Sequence, residues 1–274
     1  MNTKGIKWMV AALIASLIVL GYCSMTAKAG RPVDPINPSI ASQILNSTVQ
    51  IRLFTPIEDA GISDGQAVYV MSQGLGSLVE WQGVSVIVSH NHWGEMMDEA
   101  EYAQIMDANG DLICKLGLEA LNNLILYSDP GTLILAAPAG LSATSTIADQ
   151  NTTILADDVV TLVHQDPENI DRLVLLQARV VKLQDYKGQP VYKLALIDDI
   201  QIISGDSGGG IWSENVLVGN MWASYFDTIK LPFAAETSLA APLPSIQLAM
   251  GDITAAVSLL QPSIDGPSDL AIAK

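Results

Sequence analysis

Gly205-Asp206-Ser207-Gly208-Gly209-Gly210 sets one serine among four glycines and an aspartate. Glycine takes backbone conformations that a β-carbon forbids, which leaves room for a substrate carbonyl beside the hydroxyl. Such a turn suits an acyl transfer in which the Ser207 oxygen attacks that carbonyl. A hydroxyl at its ordinary pKa is a weak nucleophile, so a base must come from elsewhere in the chain. The chain has three histidines, His90, His92 and His164. Two of them fall in Val86-Ile87-Val88-Ser89-His90-Asn91-His92-Trp93-Gly94, an apolar strand that runs into a polar turn. The third stands beside Gln165-Asp166-Pro167 and reads as a loop residue.

An imidazole titrating near neutrality takes the serine proton and passes it to the leaving group. His92 is the expected base and His90 its neighbour. A rival reading has His90 and His92, two apart on a strand, share a face and hold a metal. Zinc needs a third ligand, and no cysteine pair stands nearby to supply one. The plain alternative for Ser207 is an idle serine in a glycine-rich hairpin.

The elements that must position these residues are short β runs. Thr48 to Phe54 alternates with period two. Runs at 74–79 and 84–88 flank a turn at Gln82-Gly83, and 104–106 and 112–114 flank Asp107-Ala108-Asn109-Gly110-Asp111, a hairpin signal. Runs at 124–126 and 133–135 complete a first set of about six strands. A second set comprises 159–163, 173–183, 191–197, 211–212 and 216–222, with a turn at Lys187-Gly188-Gln189-Pro190. The one helical pattern spans about 245–260. Many short strands with regular turns argue an all-β barrel architecture over a parallel sheet.

Length and charge narrow the classes further. Lys4 and Lys7 precede an apolar run of 15 residues, Trp8 to Tyr22, and Ala27-Lys28-Ala29 follows. That is the layout of a signal peptide cut after Ala29, and the run is short for a membrane span. The expected location is secreted or extracytoplasmic, with an uncleaved membrane anchor as the alternative. A lipoprotein signal at Cys23 is disfavoured by the bulky Tyr22 before it. The formal net charge is −16, and losing the leader removes three lysines and no acid. So acidic a chain repels phosphate backbones, which excludes nucleic acid as a natural partner. Without the leader Cys114 is the one cysteine, which rules out an internal disulfide; it reads as a small buried hydrophobe.

Gly205-Asp206-Ser207-Gly208-Gly209, followed by Leu217-Val218-Gly219, resembles the nucleophile region of trypsin-like (chymotrypsin-fold) serine peptidases. Val86 to Ser89 running into His92 is similar to that family's histidine segment. Thr48-Val49-Gln50-Ile51 and Gly74-Leu75-Gly76-Ser77-Leu78 resemble the opening strands of its bacterial branch. The resemblance covers about residues 44–260. It implies two six-stranded antiparallel β-barrels with a C-terminal helix. The expected layout is a signal peptide (1–29), an extended linker (30–43), an N-terminal barrel (44–140) and a connector (141–153). A C-terminal barrel plus helix (154–260) and a flexible tail (261–274) complete it.

By the same resemblance Ser207 is the nucleophile, His92 the general base and Asp129 the carboxylate that orients the histidine. The amides of Gly205 and Ser207 would form the oxyanion hole. Asp129 lies a few residues early for the family's acid, and an Asp-Pro-Gly turn is its competing role; Asp98 and Asp107 are weaker rivals. Gln201, Trp222 and Ser224 fall at the substrate pocket, and the neutral Gln201 argues against a demand for Lys or Arg. No Ile-Val-Gly-Gly-like start is present, so Asp206 needs a partner other than a new amino terminus, or faces solvent. The implied activity is endopeptidase cleavage of a protein or peptide substrate through an acyl-enzyme, with no metal or organic cofactor. The alternative is the same fold without catalysis, a binding module at the cell surface.

Overall fold

The computed structural model describes residues 33–57, 67–81, 83–91, 93, 97, 99–128, 132–148, 152, 154–186, 189–197, 202–225 and 237–242. Of residues 184–186, 189–190, 222–225 and 237–242 it describes the backbone only. Two helices and fourteen strands lie within these residues: α1 (Pro38–Asn46), β1 (Thr48–Pro56), β2 (Tyr69–Trp81), β3 (Val84–Ser89), β4 (Tyr102–Met106), β5 (Leu112–Gly117), α2 (Leu118–Asn123), β6 (Ile125–Ser128) and β7 (Leu133–Ala136) come first. They are followed by β8 (Ser145–Ile147), β9 (Val159–Asp166), β10 (Asn169–Tyr186), β11 (Gln189–Leu196), β12 (Gly210–Ser213), β13 (Val216–Tyr225) and β14 (Thr237–Pro242). The all-β class expected from the strand pattern is what the chain adopts.

The first half is a run of antiparallel neighbours, β5-β4-β1-β2-β3-β7-β6. In the second half the antiparallel pairings make a circuit. β9 joins β10, β10 joins β11, β11 joins β14, β14 joins β13, β13 joins β12, and β12 returns to β9. The short β8, inside the stretch expected to be a plain connector, lies parallel to both β2 and β13 and links the halves. The expected hairpins form. Trp81 pairs with Val84 around Gly83, and Tyr186 pairs with Gln189. In the Asp107–Asp111 loop the Asp107 carboxylate accepts the N–H groups of Asn109 (2.8 Å) and Asp111 (2.9 Å).

Strands β2 and β3 serve two cores, which is why Val86, Ile87 and Val88 of β3 are apolar on both faces rather than alternating. Ile87 and Leu78 pack with Val49, Ile51 and Ile105 in the first half. Val86, Val88, Leu75 and Val79 turn the other way, onto Leu162, Leu176, Leu194 and Trp212 of the second. Sequence spacing thus decides which core each side chain enters.

Helix α1 corrects the expectation of an extended linker. Asn37 caps it by accepting the Ser39 N–H at 2.9 Å, Pro38 occupies the first turn where its missing N–H costs nothing, and Ile44 is fully buried. The helix expected at about 245–260 and the tail 261–274 lie outside the described residues, as do residues 1–32 with the expected leader.

Candidate functional site

The serine loop is built by two tight turns. In the first, the Asp206 N–H reaches the Ile203 carbonyl at 3.2 Å; in the second, the Gly209 N–H reaches the Asp206 carbonyl at 3.0 Å. Gly205 has φ of +110° and Gly208 φ of +84°, the region where residues with a β-carbon are strained. At Gly208 an added β-carbon would overlap the Leu75 carbonyl oxygen and Ser89 Oγ and approach the His90 nitrogen to 2.9 Å. The loop therefore presses directly on the strand end that leads into the histidine segment.

Hydrogen bonds fasten this contact. The Leu75 N–H donates to the Ser207 carbonyl at 2.8 Å, and the Gly208 N–H donates to the Met221 carbonyl at 2.8 Å. Ser89 Oγ donates to the Leu75 carbonyl at 2.6 Å, and the buried Asn220 amide donates to the Ser89 carbonyl at 2.9 Å. Residues about 120 positions apart in the chain, Ser89-His90 and Ser207-Gly208, thereby meet at one seam between the halves. Among the described residues no acceptor takes the N–H of Gly205 or of Ser207. Two free amides flank the serine, as an oxyanion site needs.

A cavity of about 420 Å³ opens over the loop and is lined by Ser207, Gly205, His90, Trp93, Gln73 and Gln165, among others. That volume suits a small ligand or one substrate side chain. Among the described residues the lining holds no Asp, Glu, Lys or Arg. His90 is buried, with the Trp93 ring edge-on at 4.6 Å between centroids. Gly74 makes space for both rings. Its β-carbon would sit 2.9 Å from His90 Nε2 and 3.0 Å from the Ser207 carbonyl oxygen, so that nitrogen and the serine peptide adjoin one point.

The sequence-derived residues are placed unevenly. Ser207 and Gly205 line the cavity. His92, Asp129 and Gln201 lie outside the described residues. Trp222 and Ser224 belong to the β13 backbone, and the β13–β14 ladder shifts register at Trp222. Asp107, a rival for the acid, is spent on its own hairpin loop. Asp98 lies outside the described residues.

His164 is a correction. It is no loop residue but part of β9, fully buried, with Nδ1 2.6 Å from Asp206 Oδ2. Asp206 is fully buried too, and accepts the N–H groups of Gln165 (2.8 Å, Oδ1) and Ile203 (2.8 Å, Oδ2). The question of Asp206's partner is thus answered from inside the fold. Reasoning from sequence also missed His90 and Gln165 as cavity residues. For His164 the signal was available: Val160, Leu162 and His164 alternate along one face of β9, a strand buried on both faces from Val160 to Gln165.

No protein-family profile matches the chain, and no curated protein does. Solved structures do. One is an HtrA-type protease, AlgW in a serine-to-alanine form with a decapeptide: TM-score 0.55, 13% identity, 77% of this chain and 64% of that one. This chain therefore spans less than two thirds of that protein. The Rv3671c protease from M. tuberculosis in its active form gives TM-score 0.52 at 16% identity, over 81% of this chain and 89% of that chain. A serine-to-alanine mutant of Rv3671c, in an inactive form, gives 0.51 at 15% identity, over 82% and 97%. At such identities the likeness establishes architecture: the chain has the trypsin-like, chymotrypsin-type fold that its serine and histidine segments resemble.

Proposed function

We propose that this chain is an exported serine endopeptidase. The observation that carries the reading is the Ser207 loop, with two free amides, clasped against the Ser89–His90 segment at the floor of a cavity. In the mechanism Ser207 Oγ attacks the substrate carbonyl, and the Gly205 and Ser207 amides hold the oxyanion. His92, three residues after Ser89, takes the serine proton and returns it to the leaving amine; Asp129 orients it. Water then hydrolyses the acyl-enzyme by the same steps in reverse roles. A peptide substrate is supported by the decapeptide carried by the AlgW structure. The neutral Gln201 suggests a substrate side chain without charge, and the described lining residues carry no Asp, Glu, Lys or Arg. The apolar leader supports an extracytoplasmic location, checked by sequencing the mature amino terminus.

One observation favours a second candidate for the base: among the described residues His90 lines the cavity with Ser207. A fluorophosphonate probe separates the two. Wild type labels and Ser207→Ala does not; of His90→Ala and His92→Ala, the variant that stops labelling identifies the base. Absence of wild-type labelling from pH about 6 to about 9, where a histidine base becomes neutral, would replace the enzyme by a binding module of the same fold.

A further inference from the structure

The residue before the serine is a carboxylate with no exposure at all, and two consecutive residues of β9 hold it. His164 Nδ1 reaches Asp206 Oδ2 at 2.6 Å, and the Gln165 N–H reaches Oδ1 at 2.8 Å. Both carboxylate oxygens already act as acceptors, Oδ2 from the Ile203 N–H as well. The hydrogen between Asp206 and His164 therefore sits on Nδ1, with the carboxylate accepting. The other imidazole nitrogen, Nε2, is buried and has no partner among the described residues, so Asp206 is the ring's single polar attachment. Gln165 does more than lend its backbone. Its side-chain amide donates to the Gly205 carbonyl at 3.2 Å, and its Oε1 would meet a β-carbon on Gly205 at 2.5 Å.

From these contacts we infer that His164 and Gln165 are positioning residues for the serine loop. Their task is to fix the peptide planes on either side of Asp206, so that the Ser207 amide stands ready as the chain folds and Gly205 is held at its carbonyl. This rests on the serine-hydrolase reading for its catalytic consequence, though not for its geometry. A peptide flanked by glycines turns over easily, and an amide that faces away offers an oxyanion nothing. A buried carboxylate bonded from three directions removes that freedom on one side, and the Gln165 amide removes it at Gly205. Both oxygens of Asp206 are engaged from within the fold.

The test uses the full chain and three variants. His164→Leu keeps bulk and removes the donor; His164→Asn retains an N–H near the Nδ1 position; Gln165→Ala frees the Gly205 carbonyl. Two readouts are taken: the second-order rate of fluorophosphonate labelling, and hydrogen exchange of the 202–210 amides. Expected is a fall in labelling rate of about 10²-fold in His164→Leu, the scale of one lost oxyanion donor. Reversible affinity for the probe stays unchanged, His164→Asn recovers most of the rate, and faster exchange is confined to 202–210. Wild-type rates and wild-type exchange in both His164→Leu and Gln165→Ala overturn the inference. If the wild type does not label at all, the hydrolase reading fails by itself, and the exchange of 202–210 still decides the positioning role. If His164→Leu does not fold, His164→Asn and Gln165→Ala carry both readouts.

Discussion

Gly208→Ala tests whether the serine loop really bears on the histidine strand. Two costs add at this position. The backbone φ of +84° puts alanine in the left-handed region, at about 1–2 kcal/mol. The added methyl also meets the Leu75 carbonyl, Ser89 Oγ and the His90 backbone nitrogen. None of these is the free end of a flexible side chain. Two are backbone, and Ser89 Oγ is tied to the Leu75 carbonyl at 2.6 Å. Overpacking against neighbours that cannot give costs about 1–3 kcal/mol more. The expected destabilisation is about 2–5 kcal/mol, within the margin that a folded domain can lose and remain folded. At about 2–4 °C per kcal/mol for a chain of this size, Tm falls by about 5–20 °C.

Gly140→Ala is the control. Its φ is +93°, and a β-carbon there meets nothing within 4 Å, so the conformational cost of about 1–2 kcal/mol stands alone. The difference between the two melting curves isolates the seam. Equal losses in Tm for Gly208→Ala and Gly140→Ala would refute the packing of the loop on Leu75, Ser89 and His90, and the joining of serine and histidine segments with it. Fluorophosphonate labelling on the same samples gives a second reading, expected to drop for Gly208→Ala and to hold for Gly140→Ala.

Asn220→Ala strips the buried Ser89 carbonyl of its side-chain donor and should cost about 1–3 kcal/mol, read as a lower urea midpoint at unchanged slope; a wild-type midpoint would show that this carbonyl finds another donor. Cys114 is half-buried, and burial pushes its thiol above the ordinary range. Because the thiolate is the reactive form, iodoacetamide at pH 8 should modify Cys114 more slowly than free cysteine, with a rate that keeps rising at pH values where free cysteine has levelled off. A rate equal to that of free cysteine would place the sulfur in solvent.

What the sequence disclosed follows from what local physics encodes. The run Val84–Ser89, the alternation of Thr48–Phe54 and the Asn109-Gly110 turn are local signals, and the strands and hairpins formed where those signals stand. Helix α1 was hidden by its prolines, which suggest extended chain unless Asn37-Pro38 is taken as cap and first turn. Helix α2, six residues long, is too short to show a helical period. His164 was misplaced because a histidine breaks an apolar run by type while keeping it by position. The seam itself left no local trace. Nothing near Gly208 in sequence says that its missing β-carbon is the space occupied by Leu75, Ser89 and His90; family resemblance supplied the pairing of segments, and packing supplied the reason.

The attachments of the serine loop differ in kind from the cores that flank it. Leu162, Leu194 and Trp212 bury area, which stabilises the halves without prescribing how a glycine peptide is turned. Direction comes from hydrogen bonds: Ser207 to β2 through Leu75, Gly208 to β13 through Met221, Asp206 to β9 through His164 and Gln165. Three strands drawn from both halves thus fix three successive residues. Burying Asp206 is costly unless every acceptor is satisfied, and that cost makes the arrangement selective, since a rotated loop would strand a carboxylate in the core. An apolar residue in place of Asp206 would pack as well and leave the peptide free to turn. The orientation of the peptides that flank Asp206, with the Ser207 amide in one of them, is therefore specified by buried polar contacts, and the reactivity of Ser207 should track those contacts more closely than it tracks the overall stability of the fold.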